Sequence, residues 1–281
     1  DGTTPSVTQI LVDQTGLAAG TYNGNITVEA LDASNQYTSV AVRMIVNPEG
    51  MQHIDLNYSS RTALLADGWD FNASTSGGSV RNTEQLSGAV VSYDQSSHPG
   101  VIRIPVDQGD LWGSANDTRN SIFRDLPSTW TTVRMRLSAF DPSQNYQQAG
   151  FVIYDNDDNY VHLTRAYEYG NHVTFINEIT GSAQSVGSVT ENATSSVYLQ
   201  LVRDHFTETI TATYSLDGTN WTSVGPGVVH VFSNPRVGIV SGGSPSGYPV
   251  CDVSWIEIES GIVDELRAYP NNLTFHAIEG Q

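Results

Sequence analysis

Glu257 and Glu259, in the run Trp-Ile-Glu-Ile-Glu, are the one strand-borne pair of carboxylates that alternation would set on a single face. Hydrolysis of a glycosidic bond needs two carboxyl groups facing each other across a groove. This pair stands at the exit of its strand with no third acid beside it, as acidic strand ends commonly do. The sequence carries no nucleophile elbow, metal-binding histidine pair or phosphate loop. The expectation is a chain without catalytic residues. Asp155, Asp157 and Asp158, within Asp-Asn-Asp-Asp-Asn, supply the hard oxygens that calcium prefers. The same residues close tight turns through side chain to backbone bonds, and that is the preferred reading.

The remaining chemistry is recognition. Sugars stack apolar faces on aromatic rings and hydrogen-bond to Asp, Asn, Arg and His. Alternation puts Val133, Met135 and Leu137 opposite Arg134 and Arg136, and Val161 and Leu163 opposite Tyr160 and His162. It likewise sets Tyr198 and Gln200 against Leu199 and Leu201. These polar faces are expected to line one concave sheet. The stretch 165–172 adds Tyr167, Glu168, Tyr169, Asn171 and His172, and Trp112 completes the candidate set. An ordinary solvated sheet face is the competing reading, because Tyr and Thr favour strands in any case. Trp69, Trp130, Trp221 and Trp255 suit core or hairpin-anchor positions better.

Positioning these residues requires strands. Gly, Ser, Thr, Asn and Val dominate, and no long stripe of helical period occurs, which points to an all-β chain without a convincingly capped helix. About ten strands with turn-rich spacing run from Trp69 to Glu259, as in a jelly-roll-like sandwich. Residues 1–50 hold three strand-like runs, with Asn23-Gly24 as a turn signal. Residues 263–281 hold one more. The ends read as the closing and opening parts of a small sandwich, as in a piece of a longer modular protein. Such incomplete ends invite strand donation to neighbouring copies.

The chain contains 12 basic residues, all arginine, against 30 acidic ones, for a net charge of -18. That charge disfavours nucleic acid and anionic membranes as partners. No run of apolar residues is long enough to insert in a membrane. The lone Cys251 leaves folding to the core, and its strand-like surroundings suggest a buried small hydrophobe.

Several stretches carry a resemblance to known families. Gly109-Asp-Leu-Trp112 is similar to a "G-x-D-x-W" stretch, with its aspartate one position early. The hairpin from Gln148 to Tyr160 and the pair Val197–Arg203 and Tyr214–Trp221 match more closely, and Val237-Gly-Ile supplies a late glycine-containing strand. Together they resemble the concanavalin-A-like C-terminal module of family 43 β-xylosidases and a related bacterial family of unassigned function. Residues 51–262 are therefore expected to form that jelly-roll sandwich. Gly16, Leu17, Gly20, Thr21, Tyr22, Gly24, Ile26 and Val28 resemble the closing half of BACON-like, immunoglobulin-like modules, and Pro270, Leu273, Phe275 and Gly280 their opening strand. The fold implied is all-β: a concanavalin-A-like sandwich flanked by partial immunoglobulin-like segments at 1–50 and 263–281. The function implied is a carbohydrate-binding or adhesive module of a secreted bacterial protein, extracellular or on the cell surface, with a polysaccharide or other glycan as partner. A structural subunit of a filament or stalk is the alternative. No cofactor is expected beyond a structural calcium, for which Asp70 and Asp252 are further candidates by analogy with sugar-binding jelly rolls.

Overall fold

The computed structural model describes residues 20–29, 37–46, 50–71, 90–106, 109–115, 118–191, 195–243, 248–261 and 265–269. The first two strands, β1 (Gly20–Glu29) and β2 (Tyr37–Val46), pair antiparallel along their whole length. The expected turn at Asn23-Gly24 does not form. Asn23 lies opposite Arg43 and Gly24 opposite Val42 in an unbroken ladder. Strand-favouring residues on both sides, Thr21 and Tyr22 before and Ile26 and Thr27 after, keep the pair extended.

A larger compact unit, Met51–Ser260, follows. Its elements are β3 (Gly50–Asp55), a short helix α1 (Arg61–Ala66), β4 (Trp69–Asp70), β5 (Ile102–Pro105), β6 (Ile122–Asp125), β7 (Trp130–Ala139), β8 (Gln148–Asn156), β9 (Asn159–Tyr167), β10 (Asn171–Ile179), β11 (Ser182–Thr190), β12 (Val197–Asp204), β13 (Thr209–Ser215), β14 (Trp221–Ser223), β15 (Val228–Val229), β16 (Arg236–Gly242) and β17 (Val250–Ser260). A last strand, β18 (Glu265–Tyr269), belongs with β1 and β2 in the smaller unit and pairs antiparallel with β2. Leu273 and Phe275, and the run Ile10 to Val12, lie outside the described residues.

The helix was not expected. The Ser60 hydroxyl accepts a hydrogen bond from the Ala63 amide at 3.1 Å, which caps a single turn and a half whose Leu64 is buried. The other described residues of the larger unit form strands and loops. One sheet has the order β11-β10-β9-β8-β16-β6-β4. The other runs β14-β13-β12-β7-β17-β3, with β15 beside β13 and β5 beside β17. The two inner faces form one core. Phe151, Ile153, Val161, Leu163, Val173 and Phe175 come from the first sheet, and Val133, Met135, Leu137, Leu199, Leu201, Val253 and Ile256 from the second. Cys251 is buried in β17, and Ile153, Leu199 and Leu201 stand in the core as alternation requires.

One tryptophan departs from expectation: Trp221 stands on the β13–β14 hairpin, but Trp255 does not lie in the core. Trp69 and Trp130 are fully buried, but Trp221 and Trp255 are half-buried. Register shifts in β17 on either side of Val253 turn Trp255 outward, where it packs against His53 (ring centroids 5.5 Å apart) and Tyr198 (5.9 Å).

The sheet containing β8 has an unusual second face. Every residue of β8 from Ala149 to Tyr154 is buried. Its outer side is covered by a smaller apolar cluster of Leu111, Phe123, Val152, Tyr154, Tyr160, Ile176 and Val240. Val152 belongs to this second cluster, on the face opposite Ile153. Leu111 arrives from the loop between β5 and β6, which folds back over the sheet; burying it contributes about 1.5–3 kcal/mol.

Candidate functional site

The outer face of the β8 sheet is laid out in cross-strand rows. Gln148 lies opposite Ala166, which lies opposite His172. Gly150, Thr164 and Thr174 form the next row, then Val152, His162 and Ile176, then Tyr154, Tyr160 and Glu178. At the end of the sheet bearing the first rows lies a cavity of about 450 Å³. Gln148, Ala166, Thr174, Ile176 and Ser185 make its floor, and Asp110, Trp112, Ala115, Tyr146 and Glu168 its walls.

The wall carrying Trp112 is held from three strands. The Tyr160 hydroxyl reaches the Leu111 carbonyl and Glu178 Oε2, both at 2.8 Å. That same Glu178 oxygen accepts the Gly113 amide at 2.9 Å. Asp110 Oδ1 accepts the Leu111 amide (2.7 Å), the Trp112 amide (3.3 Å) and Gln148 Nε2 (3.1 Å). Behind it, the Gly243 amide donates to the Gly109 carbonyl at 2.6 Å. Trp112 is thereby presented 46 % exposed on an anchored turn.

The second aromatic wall depends on glycine. Tyr146 has φ 72° and is 63 % exposed, its amide bonded to the Tyr167 carbonyl at 2.9 Å. A non-glycine residue in the left-handed region stores about 1–3 kcal/mol of strain, and such residues cluster at ligand sites. Gly243 (φ +80°) packs so tightly behind it that an added Cβ would lie 2.0 Å from the Tyr146 carbonyl oxygen. At Gly242 a Cβ would lie 2.5 Å from the Gly109 carbonyl oxygen. Two adjacent glycines at the end of β16 thus let both wall loops close onto the sheet.

Of the residues proposed from sequence, Trp112 and Glu168 line this cavity. Glu168 is exposed and accepts the Ser188 hydroxyl at 3.0 Å. Tyr167 is half-buried, and its backbone bonds the turn that carries Tyr146. Tyr169 is 87 % exposed, and its amide donates to Asn145 Oδ1 at 2.7 Å. His172 stands beside the floor, its ring nitrogens at 3.0 Å from the Gly170 carbonyl and 3.2 Å from Thr190 Oγ1. Asn171 opens β10 with its side-chain oxygen buried.

Two expectations need correction. Tyr160 and His162 do not face solvent: they are 0 % and 3 % exposed beneath the Leu111 loop. Burial raises the Tyr160 phenol, with Glu178 adding to it, so the group stays a donor. Desolvation holds His162 at about 4, so its ring is neutral. Both support the wall and offer no contact to a ligand from outside. Second, Arg134 and Arg136 belong to the opposite sheet, on β7, and so do Tyr198 and Gln200 on β12. They cannot share a face with β9, because the core lies between. Arg134 lies 3.8 Å from both Glu257 and Glu259, and Arg136 stacks over the Tyr198 ring. The acids considered for calcium make bonds within the fold, those of the Asp155–Asp158 run in keeping with the preferred turn reading. Asp155 accepts the Ser233 and Asn234 amides, and Asp157 accepts the Tyr154 hydroxyl. The Asp158 amide bonds Asn156 Oδ1, and its carbonyl accepts the Gly181 amide. Asp70 pairs with Arg236 at 2.8 Å in one sheet, and Asp252 takes Arg103 through two bonds of 2.6 and 2.7 Å in the other. Among the described residues no group of three or more His, Cys, Asp or Glu could hold a metal ion.

Asp110, Tyr146, Gln148, Thr174, Ile176 and Ser185 were not anticipated as site residues. Tyr146 carried a signal, a lone aromatic in the polar run Ser-Gln-Asn-Tyr-Gln-Gln.

Comparison with known proteins bears on the fold. The sequence model of the "Beta xylosidase C-terminal Concanavalin A-like domain" family matches residues 88–243. No curated protein matches. Among solved structures, the GH43 BlXynB protein from Bacillus licheniformis is 17 % identical with a TM-score of 0.59, over 84 % of this chain and 53 % of that one. The xylan β-1,4-xylosidase from Bacillus halodurans C-125 is 14 % identical with a TM-score of 0.58, over 84 % and 53 %. A bifunctional GH43-CE protein from Bacteroides eggerthii is 17 % identical with a TM-score of 0.52, over 61 % and 22 %. At these identities the likeness is one of fold, and the chain spans about half the length of the two Bacillus proteins or less of the third.

Proposed function

For a chain that belongs to the β-xylosidase C-terminal concanavalin A-like domain family, we propose a non-catalytic role in carbohydrate binding, at the cavity walled by Trp112 and Tyr146. The observation that carries this reading is two exposed aromatic side chains held over a floor of mixed polar and apolar side chains in a concave site of about 450 Å³. A site of that size falls in the usual range of about 300–1,000 Å³, and a sugar's apolar face stacks on such rings while its hydroxyls find the floor and Glu168. Gln148 and Thr174 are already bonded to neighbours, so the floor is ordered before a ligand arrives.

Asp110 and the strand-borne pair Glu257 and Glu259 support binding over hydrolysis. Asp110 accepts three hydrogen bonds that hold the Trp112 turn, which makes it a strut. Glu257 and Glu259, the pair considered from sequence, face outward on the other sheet beside Arg134. The reading sets the chain in a secreted, multidomain protein that acts on polysaccharide, as the name of the Bacillus halodurans xylosidase suggests for its own substrate. Donation of a strand to neighbouring copies is the less favoured reading, because β18 completes its ladder on β2 of the same chain.

Calorimetric titration of the whole chain with neutral plant oligosaccharides, xylan-derived ones first, tests the proposal. Trp112→Ala and Tyr146→Ala should each lose about 1–3 kcal/mol of affinity. Wild-type affinity in the double variant would move the site elsewhere, and absence of binding to every glycan would end the reading.

A further inference from the structure

We infer that this cavity selects glycans free of acidic groups, with Glu168 as the residue that both engages sugar hydroxyls and turns away carboxylate- or sulfate-bearing chains; this rests on the carbohydrate-binding reading above. Among the described residues, the lining contains two carboxylates, Asp110 and Glu168, and no Arg, Lys or His. The arginines of this sheet are paired with acids, Arg124 with Asp67 among them, and the His172 ring beside the floor contacts the Gly170 carbonyl and Thr190 Oγ1. Arg236, on the outer face several rows away, pairs with Asp70 and Asp125, and the buried Arg165 pairs with Glu191. The whole chain adds a net charge of -18 to the same potential.

The polar atoms of the floor divide into used and available. Gln148 donates to Asp110 and accepts from Thr164, and Thr174 is bonded to Thr164. These bonds lock the floor and leave the wall to do the selecting. Glu168 Oε2 takes one bond from the Ser188 hydroxyl, which orients the carboxylate. A carboxylate accepts through two oxygens with about four lone-pair sites, so Glu168 retains capacity for a pair of donors. Neighbouring hydroxyls of a pyranose supply such a pair. A uronate or sulfate supplies an acceptor with a like charge, in a concave site whose apolar walls weaken screening.

The consequence is a discrimination that depends on one side chain. A neutral oligosaccharide should bind more tightly than its uronate-bearing counterpart of the same backbone by about tenfold or more at low salt. Raising the salt concentration should narrow that gap, because screening acts on the repulsion and leaves the stacking. Glu168→Gln keeps size and one acceptor but removes the charge. It should weaken neutral binding by about tenfold, the effect of exchanging a charged acceptor for a neutral one. It should also bring the two ligands closer together. Glu168 is exposed, so the variant tests the site without disturbing the core.

The experiment is calorimetric titration of the whole chain, wild type and Glu168→Gln, with neutral xylo-oligosaccharides and with the same chains bearing glucuronate, at low and high salt. Preference for the neutral ligand that shrinks in salt and in the variant supports the inference. Equal or tighter binding of the uronate ligand by the wild type overturns it while leaving the site as a sugar site. A preference that is unchanged in Glu168→Gln overturns the assignment to Glu168. Binding of neither ligand overturns the carbohydrate reading itself.

Discussion

Replacing Gly243 by alanine tests whether the site is built by close backbone approach. Two separate effects act at this position. The left-handed φ of +80° disfavours any residue with a Cβ, by about 1–2 kcal/mol. The new Cβ would also lie 2.0 Å from the Tyr146 carbonyl oxygen and 3.5 Å from the Tyr146 Cβ, and the nearest obstruction is backbone. The turn must therefore move by more than an ångström, and forced repacking of that kind costs about 1–3 kcal/mol more. The internal reference is Gly68, whose φ is +86° and around which an added Cβ meets nothing within 4 Å. Gly68→Ala carries the conformational penalty alone, so the difference between the variants isolates the steric part. All five tryptophans lie in the larger unit, so their fluorescence reports its unfolding. In urea the Gly243→Ala midpoint should fall further than the Gly68→Ala midpoint at equal slope, by about 1–3 kcal/mol. Glycan affinity should fall only in Gly243→Ala, because only that change displaces the Tyr146 wall. Identical midpoints, or intact binding in Gly243→Ala, would refute the claim that Gly243 holds this wall.

The remaining predictions concern what holds the sandwich. Arg165 and Glu191 form a fully buried ion pair at 2.6 Å, and Arg165 also bonds the Phe140 and Ser195 carbonyls. Glu191→Ala leaves that cation uncompensated and should destabilise the larger unit by about 3–5 kcal/mol, read from the same fluorescence transition; a change below about 1 kcal/mol contradicts the role. His162 and His230 are both held at about 4 by desolvation, below the ordinary 6.5. The unfolded chain then binds their protons first as pH falls. Stability present above about 6.5 should decline toward about 4, by up to about 1.4 kcal/mol per pH unit for each ring. His162→Leu should roughly halve that slope, and an unchanged slope counts against the assignment. Because Asp155 is engaged by the Ser233 and Asn234 amides, chelation with EDTA should leave the thermal transition where it is; a drop of several degrees would return calcium to the account.

The fold was readable because its strands announce themselves at short range. Alternation in β7, β9 and β12 sorted inner from outer residues correctly, and the Gln148–Tyr160 hairpin closes as its motif implied. The candidate site was only half readable. Alternation tells which residues share a face and says nothing of what covers it. Tyr160 and His162 share the outer face with Thr164, as expected, yet Leu111 from a loop some fifty residues earlier buries them. Alternation also cannot assign strands to sheets, so Arg134 and Arg136 were grouped with residues that lie across the core. Tyr146 depends on Gly243, nearly a hundred residues later, and no local pattern records that contact. Trp255 was misplaced because a bulge shifts the period on which the reading relied.

The most direct test of the central claim is a glycan titration followed on the five tryptophan indole N–H signals of the whole, isotope-labelled chain. Each ring samples a different place: Trp112 walls the cavity, Trp69 and Trp130 lie in the core, and Trp255 stands on the outer face of the opposite sheet. The account predicts that a neutral oligosaccharide shifts the Trp112 signal in a saturable way while the Trp255 signal stays in place. A saturable shift of Trp255 with Trp112 unmoved would put the binding face on the other sheet and contradict it.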